Sequence, residues 1–146
     1  MYSEWLKGTW KLDYFIATDE DGNVTEVMGP GATGFICYSS DGWMSVQIIK
    51  KDRPRYDIPD IEGGTDEQTL SAARGLFAYA GKYTTDEENA IVYHHLEFCL
   101  VPNWIGSTQK RYITKESENV LILGADPARI GRDGKKRVTR LRWVRM

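Results

Sequence analysis

Cysteine, histidine and proline are all scarce in this chain: two Cys, two His and five Pro in 146 residues. Cys37 and Cys99 each lie inside an apolar stretch, with no CxxC or Cys/His spacing. Disulfide scaffolds and zinc fingers are therefore poor readings, and both thiols are expected buried and reduced. Charge of one sign is also missing, since 19 Lys+Arg stand against 21 Asp+Glu for a net −2. A nucleic-acid partner needs a basic footprint that this balance does not supply. No apolar run approaches the roughly 18 residues of a membrane helix. The opening Met1-Tyr2-Ser3-Glu4-Trp5 has neither a basic n-region nor an apolar h-region, so the expectation is no secretory signal and a cytoplasmic protein. No Gly-rich phosphate loop is present, because Gly29-Pro30-Gly31 lacks a following Lys and a helix. No cofactor is expected.

What is abundant is aromatic and alternating. Five Trp, eight Tyr and four Phe fall in short runs separated by turn signals, a pattern that predicts an antiparallel β structure over one domain, 1–146. Strands are expected near 8–17, 33–39, 43–50, 78–85, 91–101, 107–114, 119–124 and 136–145. Eight strands suit the smallest closed barrel that can hold one ligand. Asp21-Gly22, Asp41-Gly42 and Asp133-Gly134 mark turns. Thr65-Asp66-Glu67-Gln68 is a capping box ahead of Leu70, Ala72, Ala73, Leu76 and Phe77, which predicts a short helix between strands three and four. The preceding residues 51–64, with Pro54, Pro59, Gly63 and Gly64, read as a loop over one barrel end, where lids commonly lie.

Parity then sorts the side chains, because a strand sends alternate residues to opposite faces. Trp10, Leu12, Tyr14 and Ile16 form the apolar face of strand one. A three-residue loop at Ser40-Asp41-Gly42 pairs Tyr38 with Met44 and Ile36 with Val46, turning Tyr38 inward. Lys82 and Lys110 belong in water, which sends Tyr79, Gly81 and Tyr83 inward, and likewise Gln109, Arg111 and Ile113. In strand five the more apolar face is Val92, His94, Leu96, Phe98 and Leu100. Thr139, Leu141 and Trp143 are the inward set of strand eight. The resulting interior mixes aliphatic walls with tyrosines, a histidine and an arginine, the composition of a ligand pocket.

The succession Gly8-Thr9-Trp10-Lys11-Leu12, Asp41-Gly42-Trp43-Met44-Ser45-Val46-Gln47, Tyr79-Ala80-Gly81-Lys82-Tyr83, His94-His95-Leu96-Glu97 and Pro102-Asn103-Trp104-Ile105-Gly106 resembles the cytoplasmic lipocalin-like domain family of bacteria and fungi. The likeness covers nearly the whole chain. Gly8-Thr9-Trp10 is the GxW signature that opens lipocalin barrels, and Arg140-Leu141-Arg142-Trp143 offers the late arginine that packs across that Trp. The resemblance implies an all-β, eight-stranded, up-and-down calycin barrel around a small-molecule cavity. It further implies that some relatives act as cyclases or isomerases in natural-product pathways. The chain differs from secreted lipocalins in its missing second lipocalin motif and its inserted helix.

Two function classes follow. One is a cofactor-independent isomerase or cyclase acting on an apolar, oxygenated, polyketide- or terpenoid-like metabolite. There His94 moves a proton, while Arg111, Tyr38 and Tyr83 stabilise negative charge on oxygen. The other is a non-catalytic binder or carrier of a similar hydrophobic molecule. In both, Tyr14, Tyr79, Met44, Val46, Phe98, Trp104 and Gln109 are expected to contact the ligand. His95 and Glu97 share a face but lack a third ligand, so no metal is expected. The outward Tyr93 and His95 face leaves room for a homodimer.

Overall fold

Alternation and turn chemistry produce the expected barrel. The computed structural model describes residues 1–146. Eight long strands, β1 (Gly8–Asp19), β3 (Thr33–Tyr38), β4 (Trp43–Ile49), β5 (Leu76–Asp86), β6 (Ile91–Cys99), β7 (Thr108–Ser117), β8 (Val120–Gly124) and β10 (Lys136–Arg145), pair antiparallel in chain order. Pairing of β1 with β10 closes the sheet on itself. Two short strands extend it: β2 (Val24–Glu26) on the far half of β1, and β9 (Ala128–Arg129) on the start of β10. Neither is long enough to show as a periodic pattern.

The β3–β4 turn fixes register as the sequence indicates, with Tyr38 opposite Met44 and Ile36 opposite Val46. Gly42 holds φ 91°, the left-handed conformation that the bulged loop requires. Thr65 caps α2 (Asp66–Arg74) with both bonds of the box in place. The helix ends one residue before β5 begins, so Leu76 and Phe77 belong to the strand, and no helix residue is buried.

Two bulges alter the parity. In β1 the register shifts between Leu12 and Tyr14, so Asp13 is the extra residue. Phe15 and Ala17 therefore turn inward, while Tyr14 goes to the outer face. In β6 the shift leaves Gly81 opposite Leu96 and Ala80 opposite Phe98. Glu97 is the extra residue, and Phe98 ends 66% exposed. Both inward assignments, Tyr14 and Phe98, are thus corrected by one inserted residue each.

An up-and-down barrel places successive connections at alternate ends. One end is closed by a helical turn absent from the sequence reading, α1 (Tyr2–Trp5), whose first amides, at Tyr2 and Ser3, donate to the Glu87 carboxylate at 2.6 and 2.8 Å. Beneath it Trp10 is fully buried and donates its indole N–H to the Leu6 carbonyl at 2.8 Å. The arginine over Trp10 is Arg145, 4.0 Å from the ring, and neither Arg140 nor Arg142. Arg142 points outward to Asp13 and Glu116. The other end carries the connections after β2, β4, β6 and β8, and there the barrel opens.

Candidate functional site

The polar centre begins at His94, in the middle of β6 and inward of the bulge, with no exposed surface. Its Nε2 lies 2.8 Å from Tyr38 Oη on β3, and its Nδ1 lies 2.7 Å from Tyr79 Oη on β5. Burial holds the imidazole pKa well below its ordinary value, and the positive charge of Arg111 lowers it further. The ring is therefore neutral at pH 7, with one nitrogen donating and one accepting. Burial also raises the Tyr38 and Tyr79 hydroxyls, so both keep their protons.

The direction of this chain follows from what each hydroxyl can reach. Tyr38 Oη is buried and has His94 as its single partner. Were it to accept from His94, its own proton would be stranded, at a cost of about 1–3 kcal/mol. Tyr38 therefore donates to Nε2. The Nδ1–H then donates to Tyr79 Oη, and the Tyr79 proton is left over.

Tyr79 lines a cavity of about 540 Å³ that opens between the β6–β7 connection and residues 125–131. That volume is in the range of small-molecule sites. Its apolar wall includes Phe15, Phe77, Trp104 and Leu123, and its polar side is Tyr79, His94, Gln109 and Arg111. Gln109 donates to Ser107 Oγ at 3.1 Å. Arg111 is half-buried, donates from Nη1 to the Lys110 carbonyl at 3.0 Å, and makes no ion pair. The carboxylate on the lining, Asp126, already accepts from Tyr112 Oη at 2.6 Å and faces Lys110 Nζ at 3.8 Å. Trp143, also on the lining, has a buried indole N–H with no acceptor. The cavity thus offers donors without matching acceptors. Such a surface can hold a flat apolar molecule by an acceptor oxygen, or stabilise negative charge as it develops there.

Of the residues singled out from the sequence, His94, Tyr38, Tyr79 and Arg111 come together, and Val46, Trp104 and Gln109 share the cavity wall. Met44 is buried in the core but does not line the cavity. Tyr83 lies toward the closed end, where its hydroxyl donates to the Ser39 carbonyl at 2.9 Å. Tyr14 and Phe98 are on the outer face, for the reason given above. His95 bridges Thr84 and Thr108 at 2.9 and 3.0 Å on the outside. Residues 51–64 contribute nothing to the lining. They are braced on α2, where Gln68 receives the Asp57 amide and donates to its carboxylate. The segment at the mouth is 125–131, whose Ala-Asp-Pro-Ala run carried no signal beyond a loop.

The sequence profile of the lipocalin-like domain matches residues 7–146. A curated relative from Aspergillus oryzae (strain ATCC 42149 / RIB 40), the 4'-hydroxy-3'-methoxypropiophenone carrier protein ppsC, is 34% identical over 76 residues, covering 48% of this chain and 68% of that protein. Two solved β-barrels align along most of both chains. One, from the de novo design of a fluorescence-activating β-barrel, has TM-score 0.45, 10% identity and 99% and 97% coverage. The other, EF1p2_mFAP2b bound to DFHBI, has TM-score 0.46, 14% identity and 99% and 96% coverage. The match over nearly the full length places the chain in the lipocalin-like domain family.

Proposed function

We propose that this barrel binds and carries a small, largely aromatic molecule through an acceptor oxygen seated against Tyr79 and Arg111. The observation that carries the reading is the Tyr79 hydroxyl, held by His94, beside an arginine without an ion pair on the lining of a mostly apolar cavity. The relative named as carrier of an aryl ketone supports the same reading, since such a molecule is flat, apolar and bears acceptor oxygens. His94 positions Tyr79 and has both nitrogens engaged, which suits recognition without turnover.

The test is calorimetric titration of the purified protein with 4'-hydroxy-3'-methoxypropiophenone, followed by recovery of the compound. Saturation at one molecule per barrel and unchanged ligand are expected. Arg111→Met should weaken binding at least about tenfold, the scale of one charge-assisted hydrogen bond. No heat of binding at millimolar ligand would reject the carrier reading.

A second reading, the cofactor-independent isomerase or cyclase, is favoured by the Tyr38–His94–Tyr79 chain itself. Tyr79 can donate its hydroxyl to a substrate oxygen that gains negative charge, with the His94 Nδ1–H holding the Tyr79 oxygen in place and Arg111 stabilising that charge, so every protein proton stays on its own atom. Consumption of a polyketide- or terpenoid-like compound into an isomer, beyond the amount of protein present, would establish it. Strict one-to-one retention would exclude it for that compound.

A further inference from the structure

We infer that the cavity selects the deprotonated form of its ligand, seating the oxyanion of an acidic phenol or enol between the Arg111 guanidinium and the Tyr79 hydroxyl. This rests on the binding reading above and specifies the chemical state of the bound molecule. Three cationic residues, Lys110, Arg111 and Arg129, lie on the cavity lining against one carboxylate, Asp126. Asp126 is engaged by Tyr112 and Lys110, and Arg129 donates to the Gly134 carbonyl in its own hairpin. Neither Arg111 nor Arg129 makes an ion pair, and of the two it is Arg111 that lies against the Tyr79 hydroxyl at the polar centre.

The polar chain beside Arg111 is neutral. Tyr38 on β3, Tyr79 on β5 and His94 on β6 feel its charge, yet none carries a negative charge at neutral pH. With Tyr38 donating to Nε2 and Nδ1–H donating to Tyr79, the Tyr79 hydroxyl is left to donate toward the cavity, and the Trp143 N–H is a buried donor without a partner. A neutral oxygen would accept one or two of these bonds. An oxyanion accepts them as charge-assisted bonds, about twice as strong, and neutralises the guanidinium. An opposite charge at this range typically lowers an acid's pKa by about 1–3 units. The ligand's O–H bond breaks with its proton leaving to solvent and the electron pair staying on oxygen, no other covalent bond changes, and Tyr79 and His94 keep their protons.

A para-acyl phenol reports its own ionisation, because the phenolate absorbs at longer wavelength than the phenol. The probe is 4'-hydroxy-3'-methoxypropiophenone, with its 4'-methyl ether as the form that cannot ionise. Absorbance is titrated with pH for free ligand and for ligand saturated with the full chain, and affinity is measured separately by calorimetry. The bound phenol should ionise at least about one pH unit below the free one, and the ether should bind at least about tenfold more weakly at pH 8. Arg111→Met should abolish the shift and Arg111→Lys should retain part of it, with thermal melting checking that each variant is folded. A bound midpoint at or above the free value, with calorimetric binding intact, overturns the inference and leaves the carrier reading standing. Absence of binding by phenol and ether alike overturns both.

Discussion

Two arginines and two tryptophans divide the barrel into a structural end and a receptive one. At the closed end Arg145 donates to the Lys7 and Trp5 carbonyls at 2.9 and 2.6 Å while covering the Trp10 ring, and the Trp10 N–H is taken by Leu6. On the cavity lining Arg111 has the Lys110 carbonyl and the neighbouring Tyr79 hydroxyl but no ion pair, and the Trp143 N–H has no acceptor. The same residue types thus serve opposite purposes. Where donors meet acceptors within the chain, the result is rigidity, and where they do not, the chain is complementary to something it does not itself contain. The GxW signature belongs wholly to the first class, which explains why recognising it identifies a fold and leaves the ligand open.

The sharpest way to break this division is to truncate each end separately. Trp10→Ala should destabilise the protein by about 3–5 kcal/mol, because a fully buried indole and its cation–π partner are lost together. Ligand affinity per folded molecule should stay within about twofold, since Trp10 is absent from the cavity lining. Urea unfolding and calorimetry measure the two. A large affinity loss in folded Trp10→Ala would show that the ends are coupled.

His94→Phe tests the centre, where the two purposes meet. It strands the Tyr38 proton and removes the donor to Tyr79, so a stability loss of about 2–4 kcal/mol is expected. The pH dependence carries the same signature. Because the folded imidazole resists protonation, the unfolded chain takes up a proton near pH 6.5 that the native state refuses. Stability is fully present above that pH and falls as pH decreases through it, by up to about 1.4 kcal/mol per unit. The loss continues until the folded histidine itself is protonated. Urea midpoints at pH 7.5 and 5.5 should show this slope in the wild type and lose it in His94→Gln. Equal slopes in both would mean that His94 is not held neutral.

The barrel was legible because most strands keep strict alternation, and the Asp41-Gly42 turn pins Tyr38 against Met44. The two parity errors share a cause: a bulge inserts a residue without changing composition. Both left traces. In β1 the unbroken apolar run Tyr14-Phe15-Ile16-Ala17 abandons alternation where the extra residue sits. In β5 an isolated Gly81 faces the β6 bulge, and a Cβ there would stand 1.8 Å from the His95 carbonyl oxygen. An isolated strand glycine signals close backbone approach. The β6 bulge falls after His94, so the histidine keeps its inward place. The mouth at 125–131 was not legible, because which loop lines a cavity depends on how the barrel tilts and on where α2 braces residues 51–64.

Tyr38→Phe and Tyr79→Phe sharpen the comparison within the polar centre. Each breaks one bond to His94 and should cost about 1–2 kcal/mol of stability. Affinity should fall at least about fivefold for Tyr79→Phe alone, since the Tyr38 proton already belongs to Nε2. Equal affinity losses would reverse the assigned direction of the chain, with Tyr79 donating to Nδ1.

Tyr83→Phe is the smallest perturbation and the cleanest control. The sequence makes Tyr83 as good a candidate as Tyr79: both are inward on β5, two positions on either side of Gly81, beside the same histidine strand. The structure separates them by their acceptors. Tyr83 packs edge-on against Tyr38 at 4.9 Å and donates to the Ser39 carbonyl, so its proton already has a partner within the chain. Removing that hydroxyl should cost about 1 kcal/mol, the net value of one hydrogen bond, and leave calorimetric affinity within about twofold. If Tyr83→Phe weakened binding as much as Tyr79→Phe, the ligand would have to reach the closed end of the barrel. The boundary between the two regions would then lie beyond Tyr38, among the side chains that α1 covers.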